Sequence, residues 1–171
     1  NTLSRYLTAN SPDLDYFDSA LDEVADSYVY KDWMVILGSA ALAGAFTIMF
    51  GGAVSDIWIA ILAGICTRWV VQHLVRMELN SVFFNIIGAA VATVITEIAS
   101  NFGLVQDAGI VTISVLMNLV PGALLTNAIR DIIATDYMSG ITKLTEALMV
   151  AASLAIGAGV GYGLGGLIGG F

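Results

Sequence analysis

A Pro-Gly pair and several polar residues interrupt an otherwise apolar segment between residues 108 and 130. Pro121 has no backbone N–H and crowds the carbonyl group of Met117, so a helix through this point must kink or break. In a bilayer the freed backbone groups find no water, and a break persists only where protein or a wet cavity surrounds it. Secondary transporters bind small anions and coupling ions at such broken helices. The Pro121-Gly122 pair therefore predicts a transport site.

Polar or small residues recur every four positions through this segment, at Ser114, Asn118, Gly122, Thr126 and Arg130. A helix that restarts after the Pro-Gly pair would present free N–H groups near residues 123–126, a ready site for a carboxylate. We predict five substrate-binding residues, which are Asn118, Pro121, Gly122, Thr126 and Asn127. The alternative is a kinked helix whose polar groups only bond to neighbouring helices.

Three carboxylates lie where they could carry protons. Asp131 follows Asn127 by four residues, on the same helix face, and could therefore reach the same cavity. Glu97 lies in the outer part of the third apolar segment, and Glu146 in the inner part of the fifth. A carboxyl group at membrane depth is costly when ionised, so it is protonated, paired or in contact with water. We predict Asp131, Glu146 and Glu97 as proton-coupling residues, with a position near a helix end as the alternative for the two glutamates.

Five apolar segments of about 20 residues, each able to cross a bilayer, would position these side chains. They lie at 33–53, 56–77, 81–102, 108–130 and 141–168. Only 12% of the residues are charged, against about 25% in soluble domains. The sequence therefore predicts an all-α, polytopic membrane protein with five transmembrane helices, one of them broken at Pro-Gly.

The start of the chain has a different character. Ser11 and Pro12 suit the first positions of a helix, and apolar residues then follow at steps of three and four, which predicts a short amphipathic helix over 11–30. We therefore divide the chain into a cytoplasmic N-terminal segment, residues 1–31, and a five-helix transmembrane domain, residues 32–171, that is half of a transporter.

Basic residues indicate the orientation. The two loops that hold Asp56 and Asp107 contain no Lys or Arg, whereas the basic residues outside the spans gather at the other ends of the segments. The positive-inside rule therefore places the N-terminus in the cytoplasm. An odd number of spans lets a homologous second unit lie inverted, as in many transporters. We predict a second five-span subunit and a higher oligomer as partners.

Small residues recur every four positions in the last segment, at Ser153, Gly157, Gly161, Gly165 and Gly169. Such stripes let helices approach closely in lipid, so we predict helix packing, with contact to a partner subunit as a further use.

The single cysteine, Cys66, excludes an intrachain disulfide, and six Lys and Arg residues form no nucleic-acid patch. With no catalytic or metal-ligand constellation visible, we predict no enzyme activity, no metal and no cofactor.

The run 114–131, followed by Asp136 and the pair 139–140, resembles the signature of the bacterial threonine/serine exporter family, and the resemblance extends over residues 30–168. It implies a cytoplasmic region followed by ten spans in two five-span halves, which some members split between two proteins, one such pair being linked to succinate export. This chain resembles the first half. The family motif falls on Pro121, Gly122, Asn127 and Asp131.

The resemblance implies a function in the bacterial inner membrane. The chain is expected to take part in proton-coupled antiport that exports a small carboxylate metabolite, with threonine or serine first and a dicarboxylate such as succinate second. Two rival functional classes are a channel and a non-transporting assembly subunit.

Overall fold

The computed structural model describes residues 31–77 and 79–169, and within them the chain forms six α-helices and no strand. The helices are α1 (Asp32–Met49), α2 (Val54–Arg76), α3 (Ser81–Asn101), α4 (Ala108–Leu116), α5 (Gly122–Ile133) and α6 (Tyr137–Gly169). The all-helical class is confirmed. The amphipathic helix predicted over 11–30 lies outside the described residues, so the division of the chain at residue 31 stays a prediction.

Four of these helices are long and apolar enough to cross a membrane, namely α1, α2, α3 and Tyr137–Leu167 of α6. Large apolar side chains cover their outer surfaces, and Trp58 and Leu62 on α2 are both more than half exposed. In a soluble monomer such a surface would be unusual, but it suits contact with lipid. The 33 residues of α6 extend over about 50 Å, more than the hydrocarbon thickness of about 30 Å.

The fourth predicted span is not one membrane-length helix. α4 has 9 residues and α5 has 12, and residues 117–121 between them are not helical. At the end of α4, the N–H groups of Asn118 and Leu119 donate to carbonyl groups three residues back. Pro121 has no N–H and holds the residue before it out of the helical region. The prediction of five spans is therefore not confirmed, and a single membrane span broken at Pro121-Gly122 stays a prediction.

Small residues let α6 pack closely on α3. A Cβ atom at Gly161 would lie 2.6 Å from the Ala90 carbonyl oxygen, and one at Gly165 would lie 2.4 Å from the Cβ of Glu97. Gly163, two residues from each of these glycines, has open space beside it. Gly157, Gly161 and Gly165 of the series predicted to pack therefore contact α3 of the same chain. Gly159 and Gly163 have open space beside them and face outwards.

Asp56 joins two turns at one end of the bundle. Its side chain is fully buried, and its carboxylate accepts hydrogen bonds from the N–H groups of Ala53 at 3.0 Å and Gln106 at 2.8 Å. The turn before α2 is thereby tied to the turn before α4. This contact fixes the start of α4 and, through α4, the position of residues 117–121.

Candidate functional site

Asn118 lies in the non-helical turn after α4 and contacts α1. Its Nδ2 atom donates a hydrogen bond to the carbonyl oxygen of Ser39 at 3.2 Å. The Ser39 hydroxyl in turn donates to the carbonyl oxygen of Gly64 on α2 at 3.4 Å. The Oδ1 atom of Asn118 is buried and has no hydrogen-bond partner. The turn is thus anchored to α1 while one acceptor stays unused, which costs about 1–3 kcal/mol.

The other predicted substrate residues lie at the start of α5 and have different surroundings. Gly122 is exposed, with open space where a Cβ atom would lie. Thr126 is also exposed, and its hydroxyl donates to the Gly122 carbonyl oxygen at 2.9 Å. Pro121 and Asn127 are half-buried. The structure therefore divides the predicted set: Asn118 packs against α1, whereas Gly122 and Thr126 face out of the described part of the chain.

The first turn of α5 has no side-chain cap. The Gly122 N–H donates to the Val120 carbonyl oxygen at 2.8 Å, and the Leu125 N–H donates to that of Pro121 at 3.0 Å. These two groups are therefore used within the chain. The carboxylate site predicted near residues 123–126 is therefore limited to the N–H groups of Ala123 and Leu124.

Asp131 forms an ion pair across the turn between α5 and α6. Its Oδ2 atom accepts hydrogen bonds from Lys143 Nζ at 2.5 Å and from Ser139 Oγ at 2.8 Å. The Asp131 side chain is 16% exposed and that of Lys143 is 37% exposed. The hydrogen bond from Lys143, and then that from Ser139, hold the pKa of Asp131 below its ordinary value of 3.8. The pair therefore favours the ionised form of this carboxylate.

A tight helical hairpin brings these side chains together. Gly140, at the start of α6, approaches α5 so closely that a Cβ atom there would lie 3.1 Å from the Ala128 carbonyl oxygen. Thr135, in the connection, has a positive φ of 68°, a conformation that is uncommon outside glycine. The short connection and the glycine together place Asp131 opposite the first turns of α6.

The two glutamates lie in different surroundings. Glu97 on α3 is 9% exposed, and its Oε1 atom has no hydrogen-bond partner. Glu146 is exposed on α6, one turn after Lys143. Glu97 packs against Gly165, and residues 143 and 165 are about 33 Å apart along α6. The structure therefore does not bring the three carboxylates together, because Glu97 and Asp131 contact opposite parts of α6.

Several buried side-chain atoms of the described residues lack a hydrogen-bond partner. They are Thr67 Oγ1, Arg68 Nε, Glu97 Oε1, Thr112 Oγ1 and Asn118 Oδ1. Buried polar atoms are normally paired, and an exception calls for a physical reason. Within residues 31–77 and 79–169, no group of three or more His, Cys, Asp or Glu side chains could hold a metal ion.

Comparison with known proteins gives the family. A family model described as “Putative threonine/serine exporter” matches residues 1–165 of the chain. The chain belongs to the threonine/serine exporter family. A curated relative, the “Probable threonine/serine exporter” of Mycobacterium tuberculosis, is 23% identical over 161 residues, which cover 91% of this chain and 29% of the relative. The chain thus spans less than a third of that relative's length, and no solved structure matches it.

Membership of the threonine/serine exporter family confirms the resemblance noted in the sequence. The family is one of membrane transporters and not of enzymes, which is consistent with the prediction of no enzyme activity. With four helices able to cross a membrane, the chain is an integral, multi-pass membrane protein. A transported substrate and a lipid bilayer are the partners that an exporter of this family requires.

The two hydrogen-bond partners of Asp131 were not predicted from the sequence of this exporter-family chain. Ser139 and Lys143 are four residues apart on α6 and so share one face, just after a short turn. This spacing could have indicated a site for an acidic side chain on α5. The unpaired hydroxyl of Thr67 left no such signal, because threonine in an apolar helix normally bonds to its own backbone.

Proposed function

We propose that this chain is the N-terminal half of a proton-coupled antiporter that exports threonine or serine across the bacterial inner membrane. Family membership supports export. The observation that carries the substrate site is the interruption between α4 and α5, where Asn118 Oδ1 is buried without a partner. An unpaired acceptor at a helix interruption suits a polar ligand, since broken helices provide such sites in other transporters.

α4 and α5 together form the remaining span in this proposal. Their 9 and 12 residues give about 32 Å of helical rise, close to the hydrocarbon thickness of about 30 Å. α4 packs on α2 and α3, and α5 packs on α6, so each half of the interrupted span has its own support. The N–H groups at the start of α5 bind the substrate carboxylate, and Pro121 keeps the interruption open.

Asp131 couples export to protons in this proposal, together with Glu146 and Glu97. Lys143 now occupies the carboxylate that a proton or a substrate ammonium group would need. Because Lys143 and Ser139 hold the pKa of Asp131 low, the carboxylate binds a proton more readily once the pair opens. A substrate ammonium group that displaces Lys143 while the substrate moves from the cytoplasm to the interruption would open it. Glu146 lies one turn from Lys143 and would act as a second carrier that passes protons to and from Asp131.

A second five-span subunit, inverted relative to this one, completes the site in this proposal. Gly122 and Thr126 face out of the described part of the chain, and lipid cannot satisfy a polar surface there. The outward glycines of α6, Gly159 and Gly163, offer a surface that another helix could approach closely. With the N-terminus in the cytoplasm, the pair formed by Asp131 and Lys143 lies at the cytoplasmic end.

The test is transport by vesicles that contain this chain and its second half. We expect counterflow of labelled threonine or serine and a response to a pH gradient. Asp131→Asn should abolish the response to pH while the protein still folds and inserts. Asp107→Asn is the matched control: Asp107 is exposed and caps α4 through the Ile110 N–H at 3.1 Å, and asparagine caps equally well.

The outcomes separate the competing functions. Normal proton-coupled export by both Asp131→Asn and Asn127→Ala would show that the polar interruption serves packing only. Counterflow without a pH response would indicate facilitated exchange, and flux of a dicarboxylate instead of an amino acid would replace the substrate. Currents far above the turnover of a transporter would indicate a channel. No flux with the authentic partner would indicate an assembly subunit.

A further inference from the structure

The Thr67 hydroxyl differs from most threonine hydroxyls in these helices. Thr93 and Thr96, for example, donate to the carbonyl oxygens four residues back, each at 2.9 Å. This local bond is the usual arrangement for threonine inside a helix. Thr67 is only 2% exposed, yet its hydroxyl has no partner. The hydroxyl is therefore buried and available, and Thr112, with an unpaired hydroxyl on a half-buried side chain, is less enclosed.

Asn118 supplies a second unpaired atom, and its orientation is fixed. The Nδ2 group donates to the Ser39 carbonyl oxygen. The amide could not be turned over, because its Oδ1 atom and the Ser39 carbonyl oxygen are both acceptors and cannot bond to each other. The Oδ1 atom must therefore lie on the other side of the amide, where it is buried and unpaired. It can only accept a hydrogen bond.

Thr67 and the turn that holds Asn118 approach the same part of α3. A Cβ atom at Gly88 on α3 would lie 3.3 Å from Leu119 Cδ1 and 3.9 Å from Thr67 Cγ2, so the residue after Asn118 and Thr67 itself meet at the same glycine. The Ser39 hydroxyl also reaches α2, through the carbonyl oxygen of Gly64. Gly64 precedes Thr67 by three residues and so lies on the same helix face.

We propose that Thr67 and Asn118 form the subsite that binds the side-chain hydroxyl of the transported amino acid. This inference rests on the proposed function. A hydroxyl group can donate to Asn118 Oδ1 and accept from Thr67 Oγ1 at the same time, which satisfies both atoms. A methyl group would leave both unpaired, and a carboxylate would bring lone pairs against the amide oxygen. Sites that pair a substrate hydroxyl in this way reject analogues that lack it.

The experiment compares amino acids that differ only in the hydroxyl group. Vesicles with the complete transporter are assayed for counterflow of serine against alanine, and of threonine against 2-aminobutyrate. The wild-type chain should prefer the hydroxyl-bearing member of each pair. Thr67→Val keeps the shape and removes the hydroxyl, so we expect the preference to fall about tenfold, as for one lost buried hydrogen bond. Thr93→Val, whose hydroxyl bonds only its own helix, should keep the preference.

Two further variants guard against misfolding. Thr67→Ser retains the hydroxyl and should keep the preference, whereas Thr67→Ala should lose it as Thr67→Val does. An unchanged preference in Thr67→Val would overturn the subsite and leave export intact. If the counterflow rates of both members of each pair fell equally, the preference would also be unchanged, and the Thr67 hydroxyl would be binding a bridging water instead of the substrate. Absence of amino-acid counterflow from the wild-type transporter would overturn the proposed function and the subsite with it.

Discussion

Replacement of Gly157 by alanine should show how firmly α6 is seated on α3. A Cβ atom at this position would lie 2.2 Å from the Ile86 carbonyl oxygen and 2.8 Å from the Ala89 Cβ atom. Ordinary contacts of such atoms begin near 3.4 Å, so the helices must separate by about 1 Å. Added methyl groups in a packed interior cost about 1–3 kcal/mol. Because the main obstacle is backbone, we expect the upper part of that range.

Gly159→Ala is the matched control. Gly159 is two residues away on the same helix and has open space beside it. Alanine in place of glycine favours the helix by about 0.5–1 kcal/mol at either position, so this gain cancels when the two variants are compared. The difference in their free energies of unfolding therefore reports the clash alone, at about 1–3 kcal/mol.

The assay is unfolding of the purified chain in mixed micelles, followed by circular dichroism as the denaturing detergent increases. We expect Gly157→Ala to unfold earlier than the wild-type chain, and Gly159→Ala to unfold at the same point or later. Equal stability of the two variants would refute the reasoning, because it would mean that α6 does not contact the α3 backbone at Gly157.

Three further predictions concern single side chains. Lys143→Gln removes the main cause of the low pKa of Asp131, so the carboxylate should bind protons at higher pH, and the acid limb of the pH profile of export should move upwards. The stabilisation that the pair gives is present well above the ordinary pKa of 3.8 and is lost as the pH falls from there through the lowered pKa. Asp56→Ala leaves two N–H groups without an acceptor, and the unfolding assay should show a loss of about 2–6 kcal/mol. Pro121→Ala restores a donor and should weaken substrate binding, measured as a higher half-saturating concentration in counterflow.

The long helices could be predicted from the sequence because apolar runs and local end signals coincide. α3 begins where it was expected, since the Asn80 side chain accepts the Val82 N–H at 3.1 Å and caps the helix. Gly51, with φ of 81°, allows the turn after α1. In the fourth segment, the sequence predicted one span broken at Pro121-Gly122. Two short helices lie there, and that they form a single span stays a prediction.

Three features of the molecule depend on tertiary contacts and could not be predicted from the sequence. The glycine spacing in α6 indicated close packing, but two interleaved series exist, and only the fold shows that Gly161 faces α3 while Gly163 faces outwards. The partner of Asp131 depends on how the α5–α6 hairpin closes at Gly140. That the Thr67 hydroxyl has no hydrogen-bond partner can be recognised only from the fold, which gives the positions of all neighbouring acceptors.

The placement of the carboxylates constrains the proposed transport cycle. Asp131 is held by Lys143 near the start of α6, whereas Glu97 lies about 33 Å away along the same helix. No single proton transfer covers that distance, so protons must travel with a moving site or through the completed assembly.

The interruption at residues 117–121 lies between α4, which packs on α2 and α3, and α5, which packs on α6. It is therefore the place where the two halves of the interrupted span can change their angle. In the proposed cycle, the substrate passes Asp131 on its way to the interruption, and its ammonium group displaces Lys143 there. Entry of the substrate is thereby linked to protonation at the helix end.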